Sequence, residues 1–282
     1  GSGVATVSPG AAAGRAGAVL GVADEPARQR QVALTHSFTD PVVGYVGSTG
    51  SGHHDALLTT LVHIADTHTP DDVHVYGIDL LGTGLDAAAA LPHVGTIATR
   101  DDATALRIVA HLATEAAHRR GASTGGRPRI VLFVVGADRL FLHGEGTTSP
   151  LLGPLTTLVN EVAGTDIQVV FSGGHATVAN RLGSTATRRL VFAAHDPADY
   201  PATVPRPLRS QLGPRLRCFD SATGLLAQIA EPPDRAALAA SAVSAGSVRR
   251  ARPPHRQVPG RTERFCPPPG RRGGAGNRSA AA

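Results

Sequence analysis

One stretch of the sequence combines glycines, small polar residues and two histidines in a spacing that suits phosphate binding. It follows an apolar run, precedes a segment with helical periodicity, and reads Gly47-Ser48-Thr49-Gly50-Ser51-Gly52-His53-His54. Glycines and small side chains let backbone N–H groups curl around an anion at the N-terminus of a helix. The stretch therefore predicts a phosphate-binding loop, and we take residues 47–54 as candidate nucleotide-binding residues.

The last two positions of this loop depart from the usual motif, which ends in Lys followed by Ser or Thr. The chain has His53 and His54 there, and all 27 of its Lys and Arg residues are arginines. An imidazole, with an ordinary pKa of about 6.5, is mostly neutral at pH 7 and reaches less far than a lysine. Magnesium prefers oxygen ligands, whereas His54 offers nitrogen. We therefore expect weak ATP binding, with Mg²⁺ entering only together with a nucleotide.

The loop alone leaves other interpretations open. A strand, a glycine turn and a helix also pack tightly together in proteins that bind no ligand there. A metal site at His53-His54-Asp55 is not expected, because adjacent residues on a helix point in different directions and no second cluster has ligand spacing. We predict no metal ligands from this sequence.

Carboxylates at the ends of other apolar runs are candidates for organising magnesium and water. Asp79 ends the run Val73–Asp79, where it is placed to face the same cleft as the loop. After Ile130–Val135 the position expected for an acid holds Gly136, and Asp138 comes two residues later, where it also suits the capping of a turn. We keep both aspartates as candidate nucleotide-binding residues and predict no catalytic residue, so efficient ATP hydrolysis is not expected.

The elements that must position these residues are strands and helices in alternation. Helical periodicity follows Gly52, begins again at Asp101 and ends before Gly121, and occurs a third time over Leu151–Val162. The apolar runs between these helices are nearly continuous, which is typical of strands covered on both faces; they are Val42–Gly47, Val73–Asp79, Ile130–Val135, Ile167–Ser172 and Leu190–Ala193. This order predicts an open, doubly wound α/β domain that binds ligands at the carboxyl ends of its strands. Leu216–Phe219 and Leu225–Ile229 are expected to form a closing hairpin.

Charge and composition divide the chain into three parts. Residues 1–17 are rich in Gly, Ala and Ser and are expected to be a linker. Residues 18–232 carry the apolar periodicity and are expected to be one domain. Residues 233–282 are rich in Arg, Pro, Gly and Ala, and we expect a disordered tail there. The tail has a charge of +8, against −3 for the rest of the chain, so the basicity belongs to the tail.

Two further features bear on location. No apolar run approaches the roughly 20 residues that cross a bilayer, so this fragment is expected to make no membrane contact, although its parent protein can still be anchored. The two cysteines, Cys218 and Cys266, lie in regions of different composition and do not suggest a disulfide framework. A reducing, cytoplasmic location is therefore expected.

Several short motifs follow one another in a distinctive order. They are Pro70-Asp71-Asp72-Val73, Ile78-Asp79-Leu80-Leu81-Gly82, Leu91-Pro92-His93-Val94-Gly95, Ser172-Gly173-Gly174-His175 and residues 195–200. Together with the glycine-rich loop they resemble the FtsK/SpoIIIE family, especially actinobacterial multi-domain members and type VII secretion ATPases of the EccC kind. The resemblance covers residues 18–231. It implies a P-loop NTPase-like, three-layer α/β/α domain with a mainly parallel sheet.

The departures from the family pattern are consistent with one another. The lysines of the family are replaced at His53 and Leu81, its acid at Gly136 and its arginine at His175. The resemblance therefore implies a degenerate ATP-binding module of a multi-domain translocase, with weak or absent hydrolysis and a role in assembly, regulation or substrate docking. It also implies other ATPase modules of the same parent chain as partners, a ring homo-oligomer, and DNA or a secreted protein as the translocated substrate.

Two alternative functions stay open at this point. An active DNA or protein translocase domain can complete its site with residues from neighbouring subunits. The arginines considered for that role, each of which also suits a solvated surface, are Arg139, Arg181, Arg188 and Arg189. A DNA-binding module can act through the basic tail, although Phe265 is the one aromatic residue there and offers little stacking surface.

Overall fold

The computed structural model describes residues 17–121, 126–141, 149–234 and 238. Its helices are α1 (His53–Thr67), α2 (Asp102–Arg119), α3 (Leu152–Glu161) and α4 (Arg206–Arg209). Its strands are β1 (Val19–Glu25), β2 (Arg30–Thr35), β3 (Val42–Val46), β4 (Val73–Asp79), β5 (Val94–Thr99), β6 (Arg129–Val135), β7 (Ile167–Gly173), β8 (Arg188–Val191), β9 (Arg217–Asp220) and β10 (Leu225–Ile229). Nearly all of the expected linker and tail lies outside the described residues.

These strands form a single ten-stranded sheet in the order β2-β1-β10-β9-β8-β3-β7-β6-β4-β5. The six strands from β8 to β5 in this order are parallel to their neighbours. The strands from β2 to β9, and the junction of β9 with β8, pair antiparallel. The predicted mainly parallel α/β sheet is thus confirmed, with an antiparallel extension on the β8 side.

Helices cover both faces of the parallel part, which gives the predicted three layers. On one face α1 packs through buried residues such as Leu57 and Leu61, and on the other face α2 and α3 pack through residues such as Ile108 and Leu158. The residues of β6 alternate between the two layers: Val131, Phe133 and Val135 join the first, and Ile130, Leu132 and Val134 join the second. Both sets are buried, which explains why the run was continuously apolar.

The helix boundaries follow the sequence signals. The Asp101 carboxylate accepts a hydrogen bond from the N–H of Thr104 at 3.1 Å and so caps α2. Just after α2, Gly121 takes a left-handed φ of +78°, as a glycine beyond a helix end commonly does. Within the described residues, no helix is both long and apolar enough to span a membrane.

The sequence patterns did not predict β1, β2 and β5. Strands β2 and β5 are the two edges of the sheet, and β1 exposes Val19 and Val22. Strands with an open face or edge mix polar and apolar residues, so their runs are short and interrupted. The predicted closing hairpin forms as β9 and β10, and β10 pairs with the unexpected β1.

A buried ion pair lies at the junction of the parallel and antiparallel parts. The Arg188 Nε and Nη2 groups donate to Asp220 Oδ1 and Oδ2 at 2.9 and 2.8 Å. Its Nη1 donates to the carbonyl oxygen of Thr35 at 2.9 Å, so the side chain also reaches the end of β2. Arg188 was a candidate for contact with a neighbouring subunit, but its guanidinium is already bound inside its own sheet. Neither that role nor a solvated surface position fits it.

Removing one partner of this pair should be costly. In Asp220→Ala the Arg188 guanidinium stays buried without its carboxylate, and a loss of about 3–5 kcal/mol in the free energy of unfolding is expected. Urea unfolding measures this loss. The matched control is Asp24→Ala, because Asp24 pairs with Arg217 near the surface and such pairs contribute about 0–1 kcal/mol. Equal losses in the two variants would contradict the importance of the buried pair.

Candidate functional site

The glycine-rich loop lies at the carboxyl end of β3 and leads directly into α1. The Gly47 N–H donates to the carbonyl oxygen of Gly173 at 3.1 Å, which ties the start of the loop to the end of β7. Gly50 and Gly52 have φ values of +86° and +87°, a conformation that glycine adopts without strain. The loop therefore stands where open α/β sheets bind their ligands. Thr49 and Gly50 form its exposed tip.

The His53 imidazole lies inside the loop and is only 3% exposed. Its Nδ1 is 3.0 Å from the hydroxyl oxygen of Ser51. A Cβ atom built on Gly47 would lie 2.4 Å from Ser51 Oγ and 3.1 Å from His53 Nδ1. The side chains of Ser51 and His53 therefore fill the space between the first and last residues of the loop.

His54 connects the loop to the neighbouring strands. Its Nδ1 lies 2.7 Å from the hydroxyl oxygen of Ser172 at the end of β7. The same hydroxyl accepts a long hydrogen bond of 3.4 Å from the N–H of Gly136, which follows β6. The His53 and His54 rings lie 3.8 Å apart between centroids. At the position where the usual motif has a magnesium-binding hydroxyl, this chain thus has an imidazole held by its own serine.

Burial keeps both imidazoles neutral. Burial, with smaller contributions from the nearby imidazoles of His54 and His175, lowers the pKa of His53 to about 3. Burial also lowers the pKa of His54, although Asp138 and other nearby carboxylates oppose that shift. Residues 47–54 therefore present no positively charged side chain at neutral pH to replace the missing lysine.

A second anchor holds the loop from the side of β8. The Ser48 N–H donates to the carbonyl oxygen of Ala193 at 2.9 Å, and the Ser48 hydroxyl accepts from the N–H of His195 at 3.1 Å. His175, which stands where the family pattern has arginine, places its Nε2 3.2 Å from the same Ala193 carbonyl. Burial lowers the pKa of His175. This position therefore supplies a neutral ring that braces the backbone.

The segment before β9 covers the helix side of the loop. The Leu216 N–H donates to the carbonyl oxygen of Ser51 at 2.9 Å, and the Leu216 side chain would lie 3.0 Å from a Cβ on Gly52. Arg215 Nη2 binds Asp55 Oδ2, in the first turn of α1, at 2.8 Å. Sequence reasoning missed this cover, because it comes from 160 residues away and carries no motif.

Asp79 is turned toward the segment that follows its own strand. The carboxylate is fully buried and accepts hydrogen bonds through both oxygens. The donors are the N–H groups of Leu81, Gly82, Gly84 and Leu85, at 2.7–3.3 Å. Asp79 thus shapes the turn over residues 80–85, and within the described part of the chain no hydrogen bond joins it to the loop at 47–54.

The position expected for an acid has no room for one. Gly136 has a left-handed φ of +78°. A Cβ built there would lie 2.5 Å from Leu81 Cγ. Leu81 itself replaces a lysine of the family pattern, so two of the departures seen in the sequence pack against each other.

Asp138 lies close to the end of β7 and to His54. It sits in the 3₁₀ turn Ala137–Leu140, and its Oδ1 would lie 3.3 Å from a Cβ on Gly173. That oxygen and the Thr177 hydroxyl are buried without a hydrogen-bond partner in the described part of the chain. The structure therefore brings Asp138 and the loop to one edge of the sheet, with Ser172 between them, and leaves Asp79 bonded elsewhere.

Restoring the acid alone should destabilise the domain. Gly136→Asp places a side chain in a left-handed conformation and against Leu81, and we expect a loss of about 2–5 kcal/mol in the free energy of unfolding. Leu81→Ala in the same chain should recover the part due to the collision. The control is Gly121→Asp, since Gly121 has the same φ of +78° in open space and should lose only about 1–2 kcal/mol. Equal losses at both glycines in urea unfolding would contradict the packing explanation.

The buried His53 should make stability depend on pH. In the unfolded chain an imidazole binds a proton near pH 6.5, whereas folded His53 has a pKa of about 3. Between these values the unfolded state holds more protons, so the free energy of unfolding falls as the pH falls, by about 1.4 kcal/mol per pH unit for one group. His53→Gln should remove a slope of this size between about pH 6 and 5. The control His118→Gln, at an exposed site in α2, should leave the slope unchanged. Equal slopes in His53→Gln and the unaltered chain would refute the burial of a neutral ring.

Comparison with known proteins places this site in a family context. Residues 39–123 match the FtsK/SpoIIIE family. The ESX secretion system protein EccC of Thermomonospora curvata is 38% identical over 96 residues, which are 33% of this chain and 7% of that protein. The ESX-1 secretion system protein EccCb1 of Mycolicibacterium smegmatis is 42% identical over 85 residues, or 29% of this chain and 14% of that protein. The chain thus matches only a small part of the length of these relatives.

Solved structures share the fold over most of the chain. The Thermomonospora curvata EccC structure of ATPases 2 and 3, in complex with a signal sequence peptide, superposes with a TM-score of 0.68 and 24% identity, over 85% of this chain and 48% of that one. EssC (ATPases 2 and 3) from Geobacillus thermodenitrificans superposes with a TM-score of 0.69 and 17% identity, over 86% of this chain and 50% of that chain. Residues 39–123 are therefore an FtsK/SpoIIIE-type segment, set in the P-loop ATPase fold that the EccC and EssC proteins share.

Proposed function

We propose that this chain is a non-hydrolysing FtsK/SpoIIIE-type module that serves other ATPase modules by assembly, regulation or substrate docking. The observation that carries the proposal is the position of His53. Its neutral ring is bonded to Ser51 and fills the loop, at the residue where a working motor needs a lysine ammonium. Charge-assisted hydrogen bonds to phosphate contribute about 1.5–3 kcal/mol each, and this loop has lost them.

The surroundings of the loop support the same conclusion. Phosphoryl transfer needs Mg²⁺ held by a carboxylate and a positioned water molecule, besides a cation at the phosphates. Gly136 offers no carboxylate, and Leu81 occupies the space beside it. The Asp79 oxygens are engaged by its own turn. Asp138 has a buried free oxygen, but it faces an imidazole at His54 where a magnesium ligand would be needed.

Weak nucleotide binding is compatible with this arrangement. The first N–H groups of any α-helix have no partner within the helix, and those of α1 adjoin the loop. The conjugation coupling protein TcpA, solved with ATPγS, shares the fold with a TM-score of 0.57 at 12% identity, over 79% of this chain and 70% of that one. We propose that ATP binds this loop weakly, with Mg²⁺ arriving only on the nucleotide.

The proposed partners follow from the relatives. The EccC structure contains ATPases 2 and 3 and holds a signal sequence peptide, and this chain corresponds to about half of it. We propose that the module described here lies beside other ATPase modules of a longer parent chain, in a ring of identical copies. In this arrangement the active modules translocate DNA or a secreted protein, and this module docks the substrate or regulates the active modules.

The alternative of a site completed by neighbouring subunits receives less support. Arg188 is bound to Asp220 inside the sheet, and Arg189 donates through Nη2 to the carbonyl oxygen of Gly183 at 2.9 Å. Of the four arginines considered, Arg139 and Arg181 are exposed. DNA binding by residues 233–282 concerns a segment that lies almost wholly outside the described residues.

Nucleotide assays on the full chain test the proposal. With MgATP at neutral pH, we expect no phosphate release above background. His53→Lys should tighten binding of a fluorescent ATP analogue by about 10- to 100-fold, because one or more charge-assisted bonds return. Turnover should still be absent in this variant, since Gly136 is unchanged. The control is His118→Lys, which adds the same charge on the exposed face of α2 and should leave affinity unchanged.

Two results would count against the proposal. The first is MgATP turnover by the unaltered chain that disappears in His53→Ala, because it would make His53 part of a working site. The second is equal tightening by His118→Lys and His53→Lys, because it would assign the effect to net charge and not to the loop.

A further inference from the structure

We propose that a cavity at the amino edge of the sheet binds a free α-amino acid with an apolar side chain. The cavity has a volume of about 520 Å³ and is lined by the segment before β3, the start of β6 and the segment between α3 and β7. The loop at residues 47–54 follows the carboxyl end of β3, so the two sites lie at opposite ends of the parallel strands. The inference therefore does not rest on the proposed function.

The cavity offers a positioned cation for the carboxylate of such a ligand. The Arg129 guanidinium lies over the Phe38 ring, 4.9 Å from its centroid, and both residues line the cavity. Phe38 is itself held by edge contacts with the rings of His36 and His68, at 5.3 and 5.2 Å between centroids. Across the described ranges of the chain, no carboxylate forms an ion pair with Arg129. A guanidinium stacked on a ring keeps its N–H edge free for a carboxylate.

An acceptor for the ammonium group lies next to this cation. Asp166 lines the same cavity, and its backbone carbonyl accepts from the N–H of Ile130 at 3.0 Å, which places it beside Arg129. The last residues of α3 lead into the cavity wall at residues 162–164, and the C-terminal end of a helix attracts positive charge. The carboxylate and the ammonium group of an α-amino acid are attached to the same carbon atom. Neighbouring side chains of opposite charge therefore suit this pair of groups.

The other walls favour an apolar group for the rest of the ligand. Four apolar residues line the cavity: Pro41, Ile130, Val162 and Ile167. Gln168, another lining residue, is 3% exposed and is bound within the protein. Its amide nitrogen donates to the carbonyl oxygens of Ser37 and Asp40 at 2.8 and 2.6 Å, and its amide oxygen lies 2.7 Å from His36 Nε2. The cavity volume falls within the range of about 300–1,000 Å³ that is usual for small-molecule sites.

Titration calorimetry of the full chain with L-leucine tests the proposal, and saturable binding is expected. Two analogues each lack one of the charged groups: 4-methylpentanoate has no ammonium group, and 3-methylbutylamine has no carboxylate. Each should bind about tenfold or more weakly than L-leucine, because each leaves one charged side chain of the cavity unpaired. D-Leucine carries the same groups in the opposite hand and should also bind more weakly.

Two variants with matched controls locate the binding, and far-UV circular dichroism verifies that each is folded. Arg129→Gln removes the charge above Phe38. Asp166→Asn keeps the shape of the side chain and suits the φ of +55° at this position, which asparagine readily adopts. Each should weaken L-leucine binding by about 10- to 100-fold. Arg127→Gln and Asp71→Asn make the same changes at exposed positions outside the cavity wall, and should leave the affinity unchanged.

Each outcome decides the question. The inference is overturned by absence of L-leucine binding to the unaltered chain, by equal binding of L-leucine and both analogues, or by undiminished binding in both Arg129→Gln and Asp166→Asn. If a variant fails to fold, the analogues on the unaltered chain still decide. MgATP turnover would overturn the proposed function and leave this inference standing, whereas a failure to bind L-leucine would leave the proposed function standing.

Discussion

The contact between His53 and Ser51 decides what the carboxyl edge of this sheet can do. The strand, the glycine turns and the start of α1 are all placed as in an anion-binding loop, yet the ring that should reach outward is folded into the loop and buried. Burial of a charged lysine at this position, without a partner, would lower the stability of the fold by several kcal/mol. Burial of an imidazole costs less free energy, because the ring can lose its proton and become neutral. The neutral ring can therefore pack stably inside the loop when no phosphate is bound.

Contacts at two neighbouring positions support the same proposal. Leu81 packs into the space beside Gly136, and the turn after β4 closes around Asp79. The contact between Leu81 and Gly136 leaves little space for a side chain at position 136, and backbone N–H groups bind both oxygens of Asp79. Restoring a single residue of the family pattern, such as an acid at Gly136, should therefore produce a steric clash with its neighbours. These contacts support the proposal that the module does not hydrolyse ATP.

Much of this fold could be predicted from sequence, because buried parallel strands are continuously apolar. The run at β6 is the clearest case, since its alternate residues fill the two helical layers. Strands β1, β2 and β5 escaped prediction because exposed faces and sheet edges interrupt the apolar pattern. The placement of loop residues 47–54 at the end of β3 was predictable from the glycine spacing. The burial of His53 and the cover by Leu216 were not, because both depend on contacts between residues distant in sequence or on side-chain direction.

A crystal structure of the full chain, grown at neutral pH with Mg²⁺ and a non-hydrolysable ATP analogue, tests whether His53 keeps the loop closed. We expect His53 to stay bonded to Ser51 within the loop in most molecules, and no metal ion to lie near Asp138 or His54. Where nucleotide density is present, no positively charged side chain of the loop should contact the triphosphate. A fully occupied triphosphate in the loop, with Mg²⁺ held by Asp138 and the His53 ring displaced, would contradict the proposal of a non-hydrolysing module.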